Sequence, residues 1–181
     1  MRHMQRGWIW AVAAVLAVAA GGCRQGPAKI TGGDAALPPG EASAEFLDRV
    51  ERQGSVSQND AMRGLLLLLD GQDKAQSFRQ RAQTLTGRGI VPTNWEPDAM
   101  KPITRDQLAY MVCTALKIQG GVWHTLLGHN RRYCLQELQY QGFLAPGLGN
   151  TEVSGSEFVA VMARADAYLQ HGEIPKALMP K

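Results

Sequence analysis

The sequence predicts an all-α domain, and three observations support that fold class. Apolar residues in most of the chain recur at the three- and four-residue spacing of helices. Hydroxyl residues suited to helix N-caps stand at Ser57, Thr104 and Ser154. Glycines suited to helix ends follow two shorter apolar segments, at Gly89 and Gly142.

Three longer helices are predicted over residues 57–69, 104–118 and 154–169, each with an apolar stripe. Each begins at a hydroxyl residue that is followed three positions later by an acid or an amide, a pattern typical of a capping box. Shorter helices are predicted before the two glycines. Because the long helices recur about every 50 residues, the sequence predicts a helical repeat of about three partial units.

A secretory leader is predicted at the start of the chain. Basic residues precede an uninterrupted apolar run over 8–20, which is shorter than a bilayer-spanning helix. Residues 20–23, Ala-Gly-Gly-Cys, resemble a bacterial lipobox. That resemblance implies a lipoprotein signal peptide over 1–22, with Cys23 acylated, as by palmitate, and attached to the membrane through several chains. An ordinary signal peptide with an incidental cysteine, or a retained N-terminal helix, are the alternatives.

The remaining chain divides by composition into three parts. Residues 23–41 begin with the lipidated cysteine and continue as a flexible tether rich in Gly, Pro and Ala. Residues 42–170 form the helical domain, and residues 171–181 form a C-terminal tail. The predicted location is therefore the bacterial cell envelope, at the outer membrane or the periplasmic face of the inner membrane.

Charge and motifs exclude several classes of function. The net charge is +3, and removal of the leader lowers it to +1, so a nucleic-acid-binding role is not expected. No nucleophile elbow, phosphate-binding loop or zinc-protease motif is present, so we expect neither catalysis nor a cofactor. His124 and His129 lie on different helix faces without further ligands, so we expect no metal site.

One stretch, residues 89–107, resembles the S-layer homology (SLH) family. The resemblance rests on Gly-Ile-Val at its start, on Trp95-Glu96-Pro97-Asp98 and on Ile103-Thr104-Arg105. The other two helix starts keep the cap but lack the arginine. Family members commonly use three units whose grooves bind envelope glycans, with this arginine on the acidic polymer. The resemblance therefore implies a glycan or anion site at Arg105, Trp95 and Thr104.

Each of these residues also has a structural interpretation. Arg105 would instead form an ion pair with Asp98 or Asp106, and Trp95 would close one end of the core. Trp123 stands at helical spacing and is expected to pack in the core.

Two cysteines, Cys113 and Cys134, lie on successive predicted helices. In an exported protein they would form a disulfide or remain as buried free thiols.

Two functions follow from the sequence. The first is a lipid-anchored envelope protein that binds or scaffolds, attached to envelope glycan through an SLH-like groove. The second is a protein–protein adaptor or accessory subunit of an envelope complex, which the missing arginines and the leucine-rich segment 64–69 favour. A small periplasmic enzyme is a third interpretation without a supporting motif.

Overall fold

The computed structural model of the chain describes residues 43–118 and 130–180. The predicted leader, Cys23 and the tether lie outside these residues, as do Trp123, His124 and His129, so the predictions made for them stay predictions. The described chain forms six α-helices and one 3₁₀ turn: α1 Ser43–Glu51, α2 Gln58–Asp70, α3 Phe78–Gly87, α4 Arg105–Ala115, α5 Arg131–Tyr140, α6 Gly155–His171 and η1 Lys176–Leu178.

The predicted all-α class is confirmed. About 57% of the interpretable part is helical and none of it is strand; two isolated backbone bridges join Ser57 to Pro102 and Thr104 to Glu152. None of the helices in the described ranges combines the length and the apolar character needed to cross a membrane. The division into three repeat units stays a prediction.

The three long helices begin one residue after the predicted caps. The Ser57 hydroxyl accepts the N–H of Asp60 at 3.1 Å, and the Ser154 hydroxyl accepts that of Glu157 at 3.2 Å. At α4 the amide oxygen of Gln107 accepts the N–H of the cap residue at 3.1 Å, as in a capping box. These bonds satisfy N–H groups that have no partner within the helix.

One predicted helix is shorter in the structure. The apolar stripe predicted a helix to residue 118, but α4 ends at Ala115. Lys117 adopts a left-handed φ of 52°, and the N–H of Ile118 turns back to the carbonyl of Cys113 at 3.0 Å. This closing bond is that of a Schellman motif, which here ends a helix without glycine.

The two glycine stops are confirmed. Gly89 has a φ of 74° and Gly142 a φ of 82°, each two residues beyond its helix. The residue after each glycine donates its N–H back to a carbonyl of the helix: Ile90 to that of Leu85 at 2.9 Å, and Phe143 to that of Leu138 at 2.8 Å. Both turns return an apolar side chain to the core, since Ile90 and Phe143 are buried.

Helix α2 is central to the packing. It contacts α1, α3, α4 and α6, while α1 also packs on α6 and α4 packs on α5. Four phenylalanines are completely buried in the resulting core: Phe46, Phe78, Phe143 and Phe158. Helix α1, which the sequence analysis did not separate from its surroundings, supplies the first of them.

Candidate functional site

The starts of α2, α4 and α6 meet at one point, which we call the hub. The residues before the three caps, Val56, Ile103 and Val153, form a closed ring of backbone hydrogen bonds. Ile103 donates to Val56 at 2.8 Å, Val153 donates to Ile103 at 3.0 Å, and Val56 donates to Val153 at 2.9 Å. All three side chains are completely buried, so the ring anchors the helix starts in the core.

A second set of bonds surrounds this ring. The first residue of each helix donates its backbone N–H to a carbonyl in the segment that leads to another helix, in each case at 2.9 Å: Gln58 to Lys101, Arg105 to Thr151, and Gly155 to Gln53. Helix starts present free N–H groups that would suit an anion. At the hub, carbonyl groups of the chain itself accept from these three N–H groups.

The positive ends of the three helix dipoles also face carboxylates of the chain itself. Asp60, Asp106 and Glu157 lie in the first turns of α2, α4 and α6. Asp60 accepts hydrogen bonds from Arg49 and Gln53, both at 3.3 Å. A carboxylate in the first turn stabilises a helix through its dipole, so the hub contains its own anions.

Arg105, the predicted ligand of a glycan, is only 7% exposed at the hub. Its guanidinium pairs with the Glu157 carboxylate at 2.9 Å and donates to the carbonyl of Ala145. A side chain at Gly147 would overlap the guanidinium, so the backbone lies directly on it. The ion pair is therefore with Glu157 of α6, and not with either of the two aspartates that the sequence suggested.

The other two predicted contact residues also have structural partners. Trp95 is buried, and the guanidinium of Arg131 lies 5.4 Å from the centre of its ring, a cation–π contact. The Thr104 hydroxyl hydrogen-bonds to the carboxylate of Asp106. Arg105 and Thr104 thus lie together at the hub, while Trp95 packs against the start of α5. A glycan contact at these residues stays a prediction.

An apolar groove lies elsewhere, between α1, α2 and α6, with a volume of about 350 Å³. We call it the α1–α2–α6 groove. Its lining is Ser43, Leu47, Gly64, Leu67, Leu68, Gly71, Val159, Met162, Ala163 and Asp166. Leu47, Leu67, Leu68 and Val159 are half-buried, with the rest of each side chain in contact with the core.

The lining of this groove includes a glycine inside a helix, Gly64 of α2. An added Cβ there would lie 2.5 Å from the Cζ atom of the Phe158 ring. The missing side chain therefore lets the ring of α6 approach the backbone of α2. The leucines that follow are evident in the sequence, but the groove is not. The available signal was the pair Val159 and Ala163, two apolar residues four positions apart on α6 that lie beside the stripe that enters the core.

A second, polar groove of about 650 Å³ lies between the end of α2 and α3. On its wall, Arg88 donates twice to Asp70, at 2.9 and 2.7 Å. These hydrogen bonds hold the pKa of the Asp70 carboxyl below its ordinary value and raise the pKa of Arg88. The pair is largely exposed, so it adds little to stability.

The structure contains a buried ion pair, at α3, that was not predicted from the sequence. Arg81 is completely buried and donates to the Asp73 carboxylate at 2.6 Å and to the Asn59 side chain at 3.0 Å. A third bond reaches the carbonyl of Ala75 at 3.0 Å. A buried arginine requires such partners, and Arg81 therefore fixes the loop between α2 and α3 rather than binding a ligand.

The two helix cysteines are neighbours. Cys113 of α4 and Cys134 of α5 are completely buried free thiols on two helices that pack on each other, and the interaction between them raises the pKa of Cys113. The disulfide between them stays a prediction.

Within residues 43–118 and 130–180, no group of three His, Cys, Asp or Glu side chains is placed to hold a metal ion. In comparisons with known proteins, no family model and no curated protein matches the chain. The resemblances to the SLH family and to the lipobox therefore stay predictions.

Proposed function

We propose that this chain is a lipid-anchored adaptor of the bacterial cell envelope, which binds an amphipathic helix of a partner protein. The observation that supports this function best is the α1–α2–α6 groove, where half-buried leucines of two helices lie in one lining with Val159 and Ala163 of α6. Amphipathic helices bind such grooves through apolar residues spaced three and four apart.

The charge of the groove defines the partner further. Asp166 is the only charged residue among those that line it. Its carboxylate accepts a hydrogen bond from Gln170 at 2.7 Å and is exposed at the rim. A partner helix with an apolar face and a lysine or arginine beside it would complement both features. Such a rim contact would favour encounter and orientation more than affinity.

Attachment to the envelope is the second part of the proposal. The lipobox resemblance at Cys23 and the tether after it would place the domain near a membrane without inserting a helix. Cys23→Ser should abolish incorporation of labelled palmitate and move the protein from the membrane fraction to the soluble fraction. Ala177→Ser, at an exposed position of η1, is the control and should leave both unchanged. Membrane retention of an unlabelled Cys23→Ser protein would contradict lipid anchoring.

Substitutions at two alanines test the α1–α2–α6 groove. Ala163 lines it, whereas Ala177 of η1 does not, and both are exposed. The full chain is purified from its own envelope after mild crosslinking, as wild type, Ala163→Arg and Ala177→Arg. We expect a stoichiometric partner with wild type and Ala177→Arg, and at least about a tenfold loss with Ala163→Arg. Equal recovery with all three proteins, or a protein that is monomeric without a partner, would contradict the adaptor function.

A second candidate function, binding of an envelope glycan at the hub, has one observation in its favour. The Nε of Arg105 is buried without a hydrogen-bond partner among the described residues. Co-sedimentation of the full chain with purified envelope polysaccharide and with peptidoglycan tests it. If Arg105 contacts the polymer, Arg105→Lys reduces retention while Glu157→Gln does not. If its role is confined to the fold, neither variant changes retention.

A further inference from the structure

The thiol pair between α4 and α5 has a chemistry that the proposed function does not use. Cys113 and Cys134 lie on two helices that pack directly on each other, and both side chains are completely inaccessible to solvent. The sulfur of Cys113 lies 3.7 Å from the carbonyl oxygen of Ile118, and Cys134 raises the pKa of the Cys113 thiol. A disulfide requires the two Cα atoms to lie within about 7 Å of each other, and two helices in direct contact can meet that requirement.

We propose that Cys113 and Cys134 are a disulfide site, closed during folding of the exported chain. Each cysteine loses its thiol hydrogen, and a sulfur–sulfur bond forms between them. The two electrons and two protons pass to an external disulfide, either a small one such as oxidised glutathione or that of a thiol oxidoreductase, which becomes two thiols. Because exchange proceeds through a mixed disulfide, one cysteine is first joined to the oxidant and the other then displaces it.

The environment of the pair determines when this exchange occurs. Burial and the hydrogen bond to Cys134 raise the pKa of the Cys113 thiol, whereas accepting that bond lowers the pKa of Cys134. In the folded chain neither sulfur is accessible to an oxidant. The bridge therefore forms before α4 and α5 have packed, and the finished fold shields it from reductants.

The bridge would join α4 to α5 around the 20 residues 114–133. Closing a loop of that length restricts the unfolded chain, which raises stability. For a domain of this size, we expect the melting temperature of the oxidised protein to exceed that of the reduced protein by about 10 °C. The effect should vanish when either cysteine is replaced.

Oxidative refolding of the full chain tests the site directly. The reduced, unfolded chain is refolded in a glutathione redox buffer, alkylated under denaturing conditions and digested with trypsin. We expect the peptide 106–117 to be joined to the peptide 133–164 and to separate on reduction. Cys23→Ser should keep this link. The proposal is overturned if both peptides carry alkylated cysteines, or if either is joined to Cys23.

This experiment does not depend on the proposed function. The oxidant is supplied in the buffer, so the result is independent of export, lipid attachment and any partner. Cys113→Ser provides a control in which the peptide 133–164 must remain unlinked. If that variant fails to fold, two samples of the wild-type chain still decide, one refolded in the glutathione buffer and one refolded in reductant, and equal melting temperatures would overturn the proposal.

Discussion

The hub and the α1–α2–α6 groove differ in polarity and in exposure to solvent. At the hub, carboxylates and Arg105 lie beside three helix N-termini, whose first N–H groups donate to carbonyls of the chain itself. The groove is lined mainly by apolar residues, and several of them remain partly exposed. The residues that most resemble a binding motif are thus engaged within the fold, whereas several leucines without any motif keep part of their surface exposed.

The largest loss of stability is expected when Gly155 at the hub is replaced by alanine. A Cβ there would overlap the carbonyl oxygen of Val50 and lie 2.8 Å from that of Glu51. Because backbone atoms have little freedom to move aside, Gly155→Ala should destabilise the domain by about 3 kcal/mol, measured by urea unfolding. Gly54→Ala is the matched control, since nothing lies within 4 Å of the added atom. Similar stabilities for the two variants would contradict close packing at the hub.

A smaller effect is expected from the ion pair at the hub. Arg105→Met would leave the carbonyl of Ala145 and the carboxylate of Glu157 without their donor, at a cost of about 2 kcal/mol. Glu157→Gln should cost less, because that carboxylate is partly exposed. A double-mutant cycle measured by urea unfolding should give a coupling energy of about 1 kcal/mol. Additive effects would show that the pair does not stabilise the hub.

The smallest loss of stability is expected when the ion pair of Arg88 and Asp70 in the polar groove is removed. Since Arg88 lowers the pKa of Asp70 in the folded state, the pair stabilises the fold above the unfolded-state pKa of about 3.9. That contribution is lost as the pH falls through the lowered pKa. Arg88→Gln should therefore cost less than about 1 kcal/mol at neutral pH and nothing at pH about 2. A loss of stability independent of pH would contradict this account.

The sequence was sufficient for features that depend on neighbouring residues. The caps at Ser57, Thr104 and Ser154 and the glycine stops were predictable because each is defined within about five positions. The pairing of Arg105 with Glu157 was not, because it joins residues that are distant in sequence and the domain offers many acids. Arg81 was missed for a related reason, since a buried arginine and an exposed one have the same local pattern.

The α1–α2–α6 groove could be predicted from the sequence only in part. The segment 64–69 contains five consecutive leucines after Gly64, too many for one face of a helix. This predicted a helix buried on more than one side and favoured a protein–protein adaptor. Which of them remain half-exposed depends on how α1 and α6 pack on α2. That packing depends in turn on the close approach of Phe158 to Gly64, a tertiary contact without a local sequence signal.

Photo-crosslinking in the intact envelope tests the central claim most directly. A photoreactive residue replaces Ala163 in the groove or, as control, Ala177 outside it, and each is combined with Asp166→Lys. The account predicts one crosslinked partner from position 163, joined through an amphipathic helix with a basic residue, and at least about a fivefold loss of it with Asp166→Lys. Absence of a crosslink from position 163, or equal crosslinking from position 177, would contradict the assignment of the α1–α2–α6 groove as the binding site.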